Sequence, residues 1–277
     1  MHGDPVVTKL MSTTDSSEWE HVDTLELGFA ADHPQGLLRV GEDRFFLSSV
    51  NFTRDSGGDI DHTVEGTGFL IEARRNGSRV EEVARLKFGS GPVYHPGGLA
   101  TDGTTIFVPV SEYRRDSSCH IYRVDAATME IAGDPIAFPD HIGALSIDVE
   151  RRRIFGMSWG ARKIYVWNFE WQLLYMNVNP VLNVDYQDID FVGGNTLACG
   201  GISSFELGGE KVVVGGIDLI DATTWLPYHR IMVTTRSART GRLLCHNAFT
   251  HKLVYPDLYL AFVPDDDAET RVEVYRV

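Results

Sequence analysis

The chain has few cysteines, and those that it has are widely spaced. Cys119, Cys199 and Cys245 are odd in number and form no CxxC pair. This pattern argues against a disulfide framework and favours a reducing compartment. The first 19 residues also lack the apolar segment of a secretory signal peptide. We therefore expect a cytoplasmic protein.

Basic residues and long apolar runs are also scarce. The 25 Lys and Arg residues face 39 Asp and Glu residues, which gives a formal net charge of −14. That charge disfavours a nucleic-acid partner, because the phosphate backbone is itself negative. No apolar run is long enough to cross a membrane. With nucleic acid and membrane disfavoured, we expect a small-molecule partner. The sequence has no coiled-coil pattern, so we expect a monomer or a weak homo-oligomer.

Helical periodicity is the third absence. Only residues 80–86 and 126–130 suggest helix at all, whereas apolar runs of strand length separated by Gly, Asp and Asn recur throughout. The sequence therefore predicts an all-β protein with a single domain over residues 19–277. Residues 1–18 are polar and are predicted to form a disordered tail.

An internal repeat is the most informative feature that is present. Four segments start alike, namely His33-Pro-Gln-Gly, His95-Pro-Gly-Gly, His141-Ile-Gly-Ala and His246-Asn-Ala-Phe. A related start, Asp185-Tyr-Gln-Asp, lies between the third and the fourth, and each of the five is followed by a turn and an apolar strand. In the second unit, strands are predicted at 98–102, 106–110, 120–125 and 128–134. Five units of four antiparallel strands describe a five-bladed β-propeller. The N-terminal strand 22–27 would complete the last blade beside the C-terminal strand 271–277.

The repeated histidines point to a site at one mouth of the propeller channel. His33, His95, His141 and His246 would lie in the loops that enter the innermost strands, with Asp185 as a further ligand. Imidazole binds divalent transition metals, so iron, zinc, manganese, copper or nickel is the expected cofactor. Two positions stay open: Asp185 or Tyr186, and Cys245 or His246, could occupy the ring.

Other residues are candidates for chemistry at the same mouth. Tyr186 and Asp188 could act in acid–base catalysis, and Glu112 could orient a histidine. Four upper-loop residues could bind a substrate, namely Arg54, Tyr113, Trp159 and Arg162. The run Pro264-Asp-Asp-Asp lacks the spacing of a calcium loop and is interpreted as a charged turn.

At the HPQG, HPGG, Tyr186-Gln-Asp and Phe262-Val-Pro-Asp-Asp-Asp stretches, the chain resembles an uncharacterised family of single-domain propeller proteins. The resemblance covers most of the chain after about residue 23 and implies a propeller without an established activity. The chain is more distantly similar to the gluconolactonase, strictosidine-synthase and NHL propellers. Gluconolactonase-like members hold a divalent ion with Glu, Asn and Asp, whereas this chain has histidines. A four-histidine iron site is similar to that of carotenoid-cleaving oxygenases, as an analogy of site only.

Three functional hypotheses follow from these observations. The first is a small-molecule enzyme whose histidine-bound metal supports hydrolase, lyase, isomerase or oxygenase chemistry. The second is a metal-free cyclase or isomerase in which a histidine is the general base. The third is a non-catalytic scaffold for a peptide or glycan, with the His-Pro-x-Gly motifs serving as turns.

Overall fold

The computed structural model describes residues 3–53, 65–89 and 91–277. Strands dominate this part of the chain, with one α-helix and four single-turn 3-10 helices. Helix α1 spans Pro5–Met11, and the 3-10 helices span Ser16–Glu18, Trp159–Ala161, Leu244–His246 and Asp267–Glu269. The strands are β1 (Glu20–Leu27), β2 (His33–Val40), β3 (Arg44–Phe52), β4 (Gly66–Asn76), β5 (Arg79–Phe88), β6 (Val93–Pro96), β7 (Ala100–Thr101), β8 (Thr105–Glu112), β9 (Cys119–Asp125), β10 (Ile136–Phe138), β11 (Ala144–Asp148), β12 (Arg153–Met157), β13 (Lys163–Asn168), β14 (Leu173–Val178), β15 (Asp185–Gly193), β16 (Thr196–Leu207), β17 (Glu210–Asp221), β18 (Pro227–Met232), β19 (Phe249–Val254), β20 (Asp257–Phe262) and β21 (Arg271–Arg276).

The strands form antiparallel sheets that follow chain order. Strands β11 to β14 and β15 to β18 each make a four-stranded sheet, and β6 to β10 make a third sheet in which β6 and β7 both pair with β8. The largest sheet has the order β19-β20-β21-β1-β5-β4-β3-β2. Its two halves meet at a short parallel contact in which Glu26 and Leu27 face Arg79 and Val80.

Ring closure by the N-terminal strand is confirmed. Strand β1 pairs antiparallel with the C-terminal strand β21 over Glu20–Glu26 and Arg271–Arg276, with one irregularity between His21 and Asp23. Strand β21 in turn pairs with β20. The two ends of the described chain are thereby joined in one sheet, which removes an open sheet edge.

The first strands of neighbouring sheets approach one another closely, as β11 does with β15 and β19 with β2. A Cβ atom on Gly97 would lie 2.2 Å from the carbonyl oxygen of Gly143, so only glycine fits at this junction. On the other side, Asp188 accepts hydrogen bonds from the backbone N–H groups of Ile189 and Phe249. One carboxyl group therefore links β15 to β19 within the channel wall.

Apolar side chains fill the spaces between neighbouring sheets. Phe155, Trp167 and Phe262 are among the largest fully buried side chains. Trp225, on the turn before β18, packs edge-on against Phe155 of the preceding sheet at 5.9 Å between ring centroids. Burial of each large side chain contributes about 1.5–3 kcal/mol, so sheet-to-sheet packing is the main source of stability.

The predicted disordered tail is wrong for residues 3–18. Asp4 caps α1 by accepting the N–H of Val6 at 2.9 Å, and Pro5 occupies the first helical turn. Leu10 is only 1% exposed and lies in the hydrophobic cluster around β17, β19 and β20. His229 also bonds the Thr13 carbonyl oxygen at 2.7 Å through Nε2. The polar composition of this segment did not indicate that Leu10 would be buried or that Asp4 would cap a helix.

Several strand boundaries also differ from the predictions. The outermost strand of the second unit is β10, Ile136–Phe138, rather than 128–134, because Gly133 and Pro135 delay its start. Residues 203–215 continue β16 and β17 as a long hairpin that the sequence analysis did not predict. The helix suggested at 80–86 is part of β5, which pairs with β4.

Within the described residues, no helix has the length and apolar character that a transmembrane span requires.

Candidate functional site

A cavity of about 340 Å³ lies where the chain enters the first strands of several sheets, and we call this end of the protein the upper mouth. The loops before β2, β11 and β19 reach it, as do the loops after β8 and β12. Its lining residues are His33, Gln35, His95, Tyr113, Arg115, His141, Gly143, Ala144, Met157, Ser158, Trp159, Gly160, Asp185, Tyr186, Gln187, His246 and Asn247.

The four predicted histidines all line this cavity. His33 begins β2, His95 lies in β6, and His141 and His246 precede β11 and β19. Cys245, the alternative to His246, is fully buried, and its Sγ contacts the carbonyl oxygen of Gly201 at 3.2 Å. His246 therefore occupies the cavity position. Asp185 and Tyr186 both reach the cavity wall.

His141 is held in a single tautomer. Its Nδ1 lies 2.9 Å from the backbone carbonyl oxygen of Glu112, which can only accept, so Nδ1 carries the hydrogen. Burial lowers the pKa of His141 from 6.5 to about 4. The ring is consequently neutral near pH 7 and has a bare lone pair on Nε2. A Cβ atom on Gly143, another lining residue, would lie 3.6 Å from this nitrogen.

His95 is buried without a hydrogen-bond partner. It is 5% exposed, and neither ring nitrogen has a partner among the described residues. Its ring stacks on Tyr113 at 4.6 Å between centroids. Burial, followed by the proximity of the His141 and His33 rings, lowers the pKa of His95 well below its ordinary value. A buried unpaired polar group costs about 1–3 kcal/mol, so the fold maintains this arrangement at a cost.

His33 forms a dyad with an acidic residue that the sequence analysis did not select. Its Nδ1 lies 3.0 Å from Oδ1 of Asp266, which also pairs with Arg242 and accepts from Asn247. Burial opposes ionisation of Asp266, but His33 and Arg242 outweigh it and lower the pKa of the carboxyl group to about 2. The run interpreted as a charged turn thus supplies a histidine partner. The only sequence signal for this role of Asp266 was the run of three consecutive aspartates at 265–267.

His246 is the fourth histidine of the cavity lining. Burial, together with the nearby charge of Arg242, lowers the pKa of His246 from 6.5 to about 4. Asp266 acts in the opposite sense, so this carboxylate faces two histidines and one arginine.

Aromatic rings connect the histidines along one wall. Phe52 lies 5.8 Å from His33 and 6.0 Å from His95, measured between ring centroids. Trp159 contacts Tyr113 at 5.2 Å and meets His141 edge-on at 4.8 Å. The structure therefore places the predicted residues Tyr113 and Trp159 at the cavity. Phe52, which the sequence analysis missed, contacts three of the lining rings but does not itself line the cavity.

The predicted acid–base residues are engaged elsewhere. The Tyr186 hydroxyl group donates to Asp218, which also pairs with Arg230, and burial raises the pKa of Tyr186. Asp188 is fully buried in the channel wall, outside the lining set. Its burial and then the charge of Asp190 raise its pKa well above the ordinary value. Neither is free at the cavity to exchange a proton.

The remaining predicted residues have mixed placements. The Glu112 carboxylate pairs with Arg114 and accepts from Ser118, so this residue orients His141 through its backbone carbonyl rather than its side chain. Arg162 pairs with Asp185 at the rim. Arg54 lies outside the described residues.

Metal binding was tested on the placement of the side chains. Over the described ranges, no group of three or more His, Cys, Asp or Glu residues is arranged to hold one ion. The His95 and His141 ring centroids are 6.3 Å apart, and the Asp185 carboxylate is paired with Arg162. The predicted ligands share a cavity without converging on one point.

Comparisons with known proteins show the fold. No curated protein matches the chain. The solved WD40 repeats of RRP9 are 11% identical at a TM-score of 0.51, with 89% of this chain and 79% of that chain covered. A tail fibre of Staphylococcus aureus phage P68 is 10% identical at 0.51, with 94% and 52% covered. Together with the four-stranded antiparallel sheets, the WD40 likeness identifies a β-propeller. Residues 3–277 match the profile of a family of unknown function (DUF6454), and the chain belongs to that family.

Proposed function

We propose that this protein is a cytoplasmic, five-bladed β-propeller enzyme that converts a small organic molecule at the upper mouth. The observation that carries the proposal is His95, which is buried in the wall of a 340 Å³ cavity and whose ring nitrogens have no partner in the part of the chain that the structure describes. Buried polar groups are nearly always satisfied, and exceptions call for a ligand, a water molecule or a functional role. Cavities with a few convergent polar groups are the usual sites of small molecules.

The five-blade count is supported by the strand order. Each half of the eight-stranded sheet contains four strands, and the other three sheets supply one unit each. The first strand of each unit in chain order is β2, β6, β11, β15 or β19. The fully buried cysteines agree with a reducing compartment.

His33 is the best-placed general base. The ionised Asp266 carboxylate fixes the hydrogen on Nδ1 and stabilises the imidazolium that forms when Nε2 takes up a proton. A proton removed from one atom of the substrate can then be returned to another atom. The sum of atoms is unchanged, so isomerisation or internal ring closure fits without a further reactant.

The proposal can be tested with a cell extract of small metabolites. Wild-type protein should deplete one compound and accumulate an isomer of it, as followed by mass spectrometry. His33→Gln and Asp266→Asn should slow this conversion about 10²-fold or more, because both remove the base or its orientation. His120→Gln is the matched control, since His120 lies on β9 outside the cavity lining.

Three outcomes would count against this proposal. Conversion at the wild-type rate by both dyad variants would remove His33 as the base. Binding of a peptide or glycan at the mouth without any conversion would favour the scaffold hypothesis. Conversion that stops equally in a folded His120→Gln variant would show that the loss is not specific to the His33–Asp266 dyad.

A metal-dependent enzyme is the second candidate, and one observation favours it. His33 and His141 each direct Nδ1 to an oxygen acceptor and leave Nε2 available, as metal-bound histidines commonly do. A modest approach of the rings would be needed to complete a site. Elemental analysis of untagged protein separates the candidates: near-stoichiometric iron, zinc, manganese, copper or nickel favours the metal enzyme, and its absence after reconstitution favours the acid–base enzyme.

A further inference from the structure

The outer strand β14 is an open sheet edge that carries large apolar side chains. It is the last strand in the order of its sheet, where it pairs with β13. Five of its six residues are large hydrophobic residues that are 38–67% exposed, namely Leu173, Leu174, Tyr175, Met176 and Val178. The one irregularity in its pairing lies opposite Val166 and Trp167, at the start of the strand, so the second half of β14 is regular. We call Leu173–Val178 the β14 edge.

The outer strands of the other sheets are protected. Strand β10 is only three residues long and lies between Pro135 and Pro139. Strand β18 is covered by the N-terminal segment, because Met232 donates its N–H to the carbonyl oxygen of Thr14 at 3.0 Å. Strand β5 meets β1. Short strands, prolines and covering segments are the usual protection against pairing with another chain, and β14 has none of these three in the part of the chain that the structure describes.

The charge distribution favours a second copy of this chain at the β14 edge. A net charge of −14 makes two copies repel each other on average. Residues 163–184 are an exception, because Lys163 and Glu170 are their only charged residues. Lys163 pairs with Asp140 at 2.8 Å, and Glu170 pairs with Arg152 at 2.9 Å. A second copy can therefore approach this edge without facing an unpaired like charge from this segment.

The β14 edge is also complementary to itself. Two identical strands that pair antiparallel are related by a two-fold axis, so one edge supplies both halves of the contact. Pairing centred on Met176 would place Leu174 opposite Val178 of the second copy, and opposite side chains point to the same face. Five half-exposed large side chains from each copy would bury on the order of 1,000 Å² in total, which is near the lower limit of a specific interface.

We infer that two copies of this chain form a weak dimer by antiparallel pairing of their β14 edges, which joins two four-stranded sheets into one. The inference is independent of the proposed function, because no residue of β14 lines the cavity at the upper mouth. The dimer would leave both cavities in place and requires no conformational change of the strands.

Sedimentation velocity of the full chain over about 1–100 μM tests the inference, because this range covers micromolar dissociation constants. The wild-type protein should change from monomer to dimer as its concentration rises. Met176→Lys places like charges across the two-fold axis and should raise the dissociation constant at least about tenfold. Met176→Leu keeps an apolar side chain and should still dimerise.

A matched control uses another exposed apolar residue. Leu207, at the end of β16, is 72% exposed, so Leu207→Lys adds the same charge to a different surface. It should leave the dissociation constant unchanged. Circular dichroism verifies the folding of each variant. Val178→Lys, at a 67% exposed position, provides the same test if Met176→Lys does not fold.

Three results would overturn the inference. The first is a wild-type protein that stays monomeric over the whole concentration range. The second is a dimer that Met176→Lys leaves intact or that Leu207→Lys weakens equally. The third is a monomer that binds phosphatidylcholine vesicles and loses this binding in Met176→Lys, which would assign the β14 edge to a membrane surface.

Discussion

At the scale of single residues, the site combines neutral histidines with one ionised partner. His141 and His246 have pKa values of about 4, whereas Asp266 has a pKa of about 2. The same burial that keeps these rings neutral makes them sensitive to acid. Stability and function of this protein should therefore depend on pH through the same side chains.

The free energy of unfolding should fall as the pH drops from 6.5 toward 4, and His141 should contribute to the fall. The folded pKa lies below the ordinary value of 6.5, so the unfolded chain binds more protons in this window. The contribution of the neutral His141 ring to the free energy of unfolding is fully present above pH 6.5. It decreases by about 1.4 kcal/mol per pH unit as the pH falls to the folded pKa.

His141→Gln should make urea unfolding less dependent on pH than it is in the wild type. The difference between pH 6.5 and pH 4 should shrink by about 3 kcal/mol, because one titrating ring is lost. Glutamine can still donate to the Glu112 carbonyl oxygen, which limits other damage. Equal pH dependence in the two proteins would show that His141 titrates normally.

At the scale of the element, the N-terminal segment is part of the domain. Leu10 lies in the cluster around β17, β19 and β20, while its neighbour Met11 is 49% exposed. Leu10→Ala should lower the free energy of unfolding by about 2–5 kcal/mol, because it leaves a cavity. Met11→Ala should change it by less than about 0.5 kcal/mol. Similar small effects in urea titrations would mean that α1 is not docked in solution.

The junction between innermost strands gives a second prediction for an element. A methyl group on Gly97 would meet the Gly143 carbonyl oxygen at 2.2 Å, whereas one on Gly143 would have its nearest neighbour at 3.6 Å. Gly97→Ala should therefore cost about 1–3 kcal/mol of stability or more. Gly143→Ala should change it by less than about 1 kcal/mol. Thermal unfolding of both variants checks this, and a reversed order would contradict the observed packing.

At the scale of the whole molecule, the internal repeat allowed the β-propeller fold to be predicted from the sequence. The histidine starts located the innermost strands, and the unpaired last unit predicted the β1–β21 closure. Local composition was a poorer guide where tertiary contacts decide. The N-terminal helix docks through Leu10, with Val6 and Val7 packed beside it, and β16 and β17 continue as a long hairpin.

The site was predictable in position more than in chemistry. The repeat brought four histidines to one mouth, and the aromatic residues Tyr113 and Trp159 followed from loop placement. The Asp266 partner could not be foreseen, because it comes from a loop more than 200 residues along the chain from His33. Tyr186 was misjudged because its hydroxyl partner, Asp218, lies on a different strand of the same sheet.

The most direct test of the central claim is the free energy of unfolding of His95→Phe without added ligand. Our account holds that His95 is kept for a ligand at a cost to the fold. Phenylalanine preserves stacking on Tyr113 and removes two unpaired buried nitrogens. The variant should thus be at least as stable as the wild type, with a gain of up to about 1–3 kcal/mol. A loss of more than about 1 kcal/mol would show that His95 serves the fold and would contradict the account.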